Sequence, residues 1–328
     1  MGGRQPAEGE VESVLGQEVT HGYVANGDVS LHFVHCGDPR GPLVLCLHGF
    51  PSFWYTWKHQ LRFFASRGYH VVAPDLRGYS WSGKPADVAA YGRAALLSDV
   101  AAVAAHFGVR EEADGQAGSK MLLVGHDWGG NVAWEFAHDH PALLRALVIC
   151  NMPHPSAFNH ALRSKPSQMR RSWYIFLFQL PGLGESFMSL NNFHTLRRII
   201  QGDPKVSQSE DDVQRHVAAF SVPGALTSAI NLYRAAFRKH WQRPTHSHAT
   251  VQVPVLMLWG DDDWAFNPDL SQPPPSLVPD CRAIHFPQAS HWVMWDAQEQ
   301  VNKHMLAFIS GAAQEGPVNP TSQHRSNL

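Results

Sequence analysis

Apolar and polar positions divide the chain into short buried runs and longer amphipathic ones. PLVLCLH, YHVVAPD, KMLLVG, ALVICN, PVLMLWG and CRAIHF are near-continuous apolar stretches of strand length. Strands that read this way are buried on both faces. HQLRFFASRG, ALLSDVAAVAAHFG and AQEQVNKHMLAFIS repeat with the 3.6-residue period of packed helices. HGYVANGDVSLHFVHCG predicts a hairpin, with NGD as its turn. Alternation of this kind specifies an α/β fold with a mostly parallel sheet flanked by helices. The alternation stops between residues 153 and 248, where QMRRSWYIFLFQL, FHTLRRII and SAINLYRAAFRKHW are helical and rich in aromatics. A helical insertion between two strands of such a sheet predicts a lid over the strand ends, where ligands of α/β sheets bind. The expected division is a core over 16–152 and 249–310 and a cap over 153–248, with disordered ends at 1–15 and 311–328.

Composition narrows the partners. The 328 residues are 44% hydrophobic with a formal net charge of −2, which gives no surface for nucleic acid. Cys36, Cys46, Cys150 and Cys281 lie far apart and lack zinc-type spacing, so buried free thiols in a reducing compartment are expected. The 21 histidines are scattered, and the pair His246 and His248 falls in a polar turn. No metal and no cofactor is expected. The start, MGGRQPAEGEVESV, has no apolar core for a signal peptide or anchor, which predicts a soluble, cytoplasmic protein. The last three residues, SNL, loosely resemble the peroxisomal address SKL, without its lysine. Oligomeric state leaves no mark in the sequence.

The chemistry centres on VGHDWGG at 124–130. An apolar strand, a sharp turn and a helix form the context of a nucleophile elbow, whose tip is usually the serine of G-x-S-x-G. Here the tip is Asp127, and no G-x-S-x-G occurs anywhere in the chain. Asp263 follows the VLMLWG strand and His291 the CRAIHF strand, so nucleophile, acid and histidine fall in the order of an α/β-hydrolase triad. A carboxylate is already ionised at neutral pH, with an ordinary pKa of about 3.9. It can displace a leaving group from saturated carbon without a base and become an ester.

With HGFP at 48–51, DLRGYS at 75–80, GHDWGG at 125–130, GDDD at 260–263 and SHW at 290–292, the chain resembles the epoxide hydrolases of the α/β-hydrolase superfamily over roughly residues 18–310. The resemblance implies the α/β-hydrolase fold and hydrolysis of epoxides to vicinal diols through an alkyl ester on Asp127. It implies that His291, oriented by Asp263, activates the water that resolves this ester. The N–H groups of Phe50 and Trp128 are then the oxyanion hole, and lid residues Tyr174 and Tyr233 activate the epoxide oxygen. Trp173, Phe176 and Phe178 would line a pocket for a lipophilic epoxide, with water as the second substrate. HGFP and GHDWGG are shared with haloalkane and haloacetate dehalogenases, which makes dehalogenation the alternative activity. A non-catalytic receptor built on the same fold is a third reading, disfavoured because every triad member is present. Ser80 departs from the family, which has glycine after DLRGY. If that loop needs a positive φ, the serine costs stability.

Overall fold

The computed structural model describes residues 4–112, 118–202, 205–206, 208–238, 240–241 and 250–312. Its nine-stranded sheet is assembled from β1 (Val11–Val14), β2 (Gln17–Asn26), β3 (Val29–Gly37), β4 (Leu43–Leu47), β5 (His70–Pro74), β6 (Met121–His126), β7 (Leu144–Cys150), β8 (Val255–Gly260) and β9 (Cys281–Phe286). The strand order is β1-β2-β3-β5-β4-β6-β7-β8-β9. The first three strands are antiparallel, and β3 is also antiparallel to β5. From β5 onward every pairing is parallel. Every residue of β4, β5, β6 and β8 is buried, which is why these segments read as unbroken apolar runs.

Helices α1 (Lys58–Ala65), α2 (Arg93–His106) and α3 (Trp128–Asp139) connect the early strands. Among the described residues six more lie between β7 and β8: α4 (Pro155–Ser164), α5 (Pro166–Arg171), α6 (Trp173–Leu177), α7 (Leu183–Gly202), α8 (Glu210–Ser221) and α9 (Ala225–Phe237). The short α10 (Val293–Asp296) and the long α11 (Gln298–Ala312) end the described chain. A capping box starts α8: the Ser209 hydroxyl accepts from the Asp212 N–H while the Asp212 carboxylate accepts from the Ser209 N–H. Within α7 the helix breaks at Leu190–Phe193, where Asn191, Asn192 and Phe193 are left-handed with φ of 51°, 57° and 58°.

Two of the inserted helices, α5 and α8, are tied to the core by polar bonds. Asp212 on α8 accepts from Lys58 Nζ at 2.5 Å and from the Tyr55 hydroxyl at 2.9 Å. Arg215, one turn on, pairs with Glu12 of β1. Arg171 at the end of α5 donates to the backbone oxygens of Asp263 (2.7 Å) and Trp264 (3.0 Å).

The N-terminus corrects the expectation of disorder over 1–15. Residues from Arg4 onward are placed, β1 pairs with β2, and Val14 is only 3% exposed. A tight turn at Leu15 and Gly16, with φ of 51° and 76°, closes this hairpin, and Tyr23 donates to the Pro6 carbonyl oxygen. Helix α11 runs to Ala312, past the boundary expected at 310. The tail bearing SNL, and His246 with His248, fall outside the described residues. The four cysteines are free, three of them buried. Burial pushes the Cys36, Cys150 and Cys281 thiols up to about 12. Ser80 has φ 41°, the left-handed conformation that its family position suggested. Among the described residues no helix is long and apolar enough to cross a membrane.

Candidate active site

Asp127 sits on the turn between β6 and α3 with φ 48° and ψ −122°, a conformation non-glycine residues rarely adopt. The elbow closes this tightly only because its neighbours lack side chains. A Cβ on Gly129 would lie 2.2 Å from the Leu47 carbonyl oxygen, and one on Gly49 would lie 2.4 Å from Asp127 Cβ and Oδ1. The backbone of the loop after β4 therefore approaches the carboxylate directly. There the Phe50 N–H donates to Asp127 Oδ1 at 2.7 Å. Trp128 begins α3, so its N–H faces the elbow with no carbonyl of its own helix to bond.

His291 presents Nε2 to Asp127 Oδ2 at 3.7 Å, and its Nδ1–H donates to Asp263 Oδ2 at 2.9 Å. All three side chains are buried. Burial alone would favour neutral imidazole, but the carboxylates of Asp263 and Asp127 override it and raise the His291 pKa well above its ordinary value. Burial likewise opposes ionisation of Asp127. His291 and the Phe50 N–H outweigh it and hold this carboxyl below the ordinary range. The resting pair is thus imidazolium and carboxylate.

Asp263 is fixed from both sides. Oδ1 accepts from the Ala265 and Phe266 N–H groups, at 2.6 and 3.1 Å, and Oδ2 accepts from Asn151 Nδ2 at 2.7 Å. Asn151 also accepts from the Gly260 N–H at 3.0 Å. It stands just past β7 with φ 41°, a conformation asparagine tolerates better than most residues. Neither Asn151 nor His126 was nominated from the sequence. The His126 Nε2–H donates to the His291 carbonyl oxygen at 2.9 Å, while its Nδ1 is buried without a partner among the described residues. Burial and the neighbouring His291 hold its pKa down at about 3, so its ring stays neutral.

Above the triad lies a cavity of about 540 Å³. Asp127, His291 and Phe50 form its floor, and Tyr174, Tyr233, Phe178 and Trp173 belong to the wall supplied by the inserted helices. The tyrosine rings are 6.0 Å apart, centroid to centroid. Burial, with Asp127 nearby, pushes both phenols well above their ordinary pKa, which keeps them as donors. Tyr233 also packs edge-on against Trp128 at 4.9 Å. Phe176 corrects the expected pocket. It is not part of the cavity wall but 46% exposed, against Phe237 on the outer surface. Residues the sequence did not suggest complete the wall, among them Trp264, Phe187, Met188 and, at the rim, Arg198. Among the described residues no three His, Cys, Asp or Glu side chains converge as metal ligands.

Residues 42–298 match the family described as alpha/beta hydrolase fold. Epoxide hydrolase 4 of Mus musculus is 36% identical over 299 residues, covering 88% of this chain and 79% of its own length. Epoxide hydrolase 3 of Xenopus tropicalis is 38% identical over 301 residues, covering 88% and 77%. The crystal structure of the Bacillus megaterium epoxide hydrolase in complex with an inhibitor superimposes with a TM-score of 0.76 at 30% identity, covering 88% of this chain and 99% of that one. The chain belongs to the α/β-hydrolase family and, within it, to the epoxide hydrolases.

Proposed function

We propose that this epoxide hydrolase converts lipophilic epoxides to vicinal diols in two steps on Asp127. Oδ2, the carboxylate oxygen that Phe50 does not hold, attacks an oxirane carbon. The carbon–oxygen bond of the ring breaks, and Tyr174 or Tyr233 gives its proton to the departing oxygen. Asp127 is now a neutral ester, and the charge that helped keep His291 protonated is gone. Its pKa falls, its proton passes to the tyrosinate left by the first step, and the neutral ring then takes a proton from water, with Asp263 holding it. The hydroxide adds to the ester carbon, and the oxyanion that forms on Oδ1 rests on the N–H groups of Phe50 and Trp128. Collapse breaks the bond from carbon to Oδ2, so the diol leaves with that oxygen. One proton of the water restores the imidazolium and the other ends on the diol, and Asp127 is again a carboxylate.

The pair of protonated phenols facing Asp127 carries this reading. An alkoxide leaves only if it is protonated or strongly hydrogen-bonded, whereas a halide needs only weak donors. The cap over 153–248 supplies both phenols together with most of the apolar wall. Free buried thiols fit a reducing compartment such as the cytoplasm. The test is to offer the purified protein aryl epoxides, fatty-acid epoxides and short haloalkanes, and to quantify diol and halide. Diol without halide, lost in the Tyr174→Phe/Tyr233→Phe double variant, is expected. Halide without diol would return the two tyrosines to packing and make the protein a dehalogenase.

A further inference from the structure

The stretch from α5 to the start of α7 carries an apolar face that none of the described residues covers. Met169, Trp173, Phe176 and Leu180 are spaced four, three and four residues apart, so they fall on one side of successive helical turns. Leu183 joins Leu180 in the next turn, and Phe237 at the end of α9 packs against Phe176. All six are between 46% and 56% exposed. Scattered surface leucines need no explanation, but large apolar side chains gathered on one face mark an interaction site.

Charge says what kind. The chain as a whole carries −2, yet residues 155–202 hold six lysines and arginines against a single acid, Glu185. That acid is spent on Arg234. Arg163, Arg170 and Arg198 are exposed, and no carboxylate pairs with them among the described residues. An apolar face on a stretch this basic repels a second copy of itself. It complements a surface that is negative at its plane and apolar beneath, with tryptophan at the level of the headgroups. The same face is continuous with the cavity: Trp173 belongs both to it and to the cavity wall, and Arg198 stands at the rim.

We infer that this cap face docks on anionic phospholipid bilayers, so that the cavity mouth opens toward the apolar layer in which a lipophilic epoxide dissolves. Binding is peripheral and reversible, because the exposed side chains reach only the interfacial zone. The link to substrate delivery rests on the epoxide reading; the docking itself does not.

Flotation of the full chain with phosphatidylcholine vesicles containing about one-third phosphatidylserine tests this. The protein should float with these vesicles, less so at high salt, and hardly at all with phosphatidylcholine alone. Arg170→Glu should weaken binding by at least about fivefold, the effect of one cation near such a surface. Leu180→Ser/Leu183→Ser/Phe237→Ser should abolish flotation while a water-soluble epoxide is turned over at the parental rate, since none of the three touches the cavity. Flotation unchanged in both variants, or none with the parent protein, overturns the inference. So does a concentration-dependent dimer in sedimentation velocity that the serine variant dissolves, which would make the face a contact between copies. Flotation does not depend on turnover, so a protein that floats yet yields no diol refutes the activity and leaves the docking standing.

Discussion

Asn151 offers the sharpest test of how the triad is held. Its amide joins Asp263 Oδ2 to the Gly260 N–H inside the fold, where no water replaces it. Asn151→Ala removes a hydrogen bond to a charged acceptor, about 1.5–3 kcal/mol, and strands a buried N–H at about 1–3 kcal/mol. It also leaves a residue ill suited to φ 41°, adding about 1 kcal/mol. The sum, about 3.5–7 kcal/mol, is a large part of the roughly 5–15 kcal/mol that holds an ordinary domain. Asn151→Gly loses the same bonds without the backbone cost, so it should be about 1 kcal/mol more stable than the alanine variant. Urea unfolding of the three proteins measures both differences. Single-turnover kinetics add the functional arm. Asn151 acts only through Asp263 and His291, so ester hydrolysis should slow by about ten- to a hundredfold while alkylation of Asp127 changes little, the loss expected when an orienting partner is removed. An alanine variant within about 0.5 kcal/mol of the parent, or equal slowing of both steps, would refute the assignment of Asn151 as a positioning residue.

Other outcomes are as definite. His291→Gln should still be alkylated but lose the base, slowing ester hydrolysis by about 10²–10⁴-fold, so that intact-protein mass spectrometry finds substrate mass on Asp127; no adduct with any reactive epoxide counts against the two-step scheme. Ser80→Gly should raise stability by up to about 1 kcal/mol by relieving φ 41°, read as a higher urea midpoint, and a lower midpoint would show that the serine side chain compensates for its backbone. The fold keeps His126 neutral down to about pH 3 and His216 down to about pH 4, chiefly by burial, whereas the unfolded chain protonates both near 6.5. Below that pH the unfolded state binds more protons, so each histidine should lower stability by about 1.4 kcal/mol per pH unit, His216 down to about 4 and His126 down to about 3. A His216→Gln variant whose stability falls just as steeply between pH 6 and 4 would contradict this.

Some of this was legible without coordinates, for physical reasons. Strands β4 to β8 are buried on both faces, and burial on both faces writes an unbroken apolar run. Asp127 and Asp263 each follow such a run, and His291 follows the edge strand β9, none of whose residues is buried, so topology brings all three to one edge of the sheet however the loops turn. Asn151 also follows one, but an asparagine at a strand end is equally what a turn uses, and only its partners reveal its task. VESV was too short and too polar in its surroundings to declare β1. Phe176 shows the limit of periodicity: spacing groups residues on one helical face without saying which way that face looks. The stripe containing Trp173 and Phe176 turns mostly outward, and Tyr174 and Phe178, between its members, face the cavity instead.

The bonds from Asp212, Arg215 and Arg171 bear on traffic through the enzyme. Swinging the inserted helices away as a door would break the buried Lys58–Asp212 pair and the part-exposed Arg215–Glu12 pair together. Reactant and product therefore pass through a fixed mouth, and solubility sets the direction of flow. An oily epoxide gains by leaving water for aromatic walls; the diol made from it carries two hydroxyls that those walls satisfy poorly. The reaction changes the partition coefficient of its own substrate, and that change empties the site.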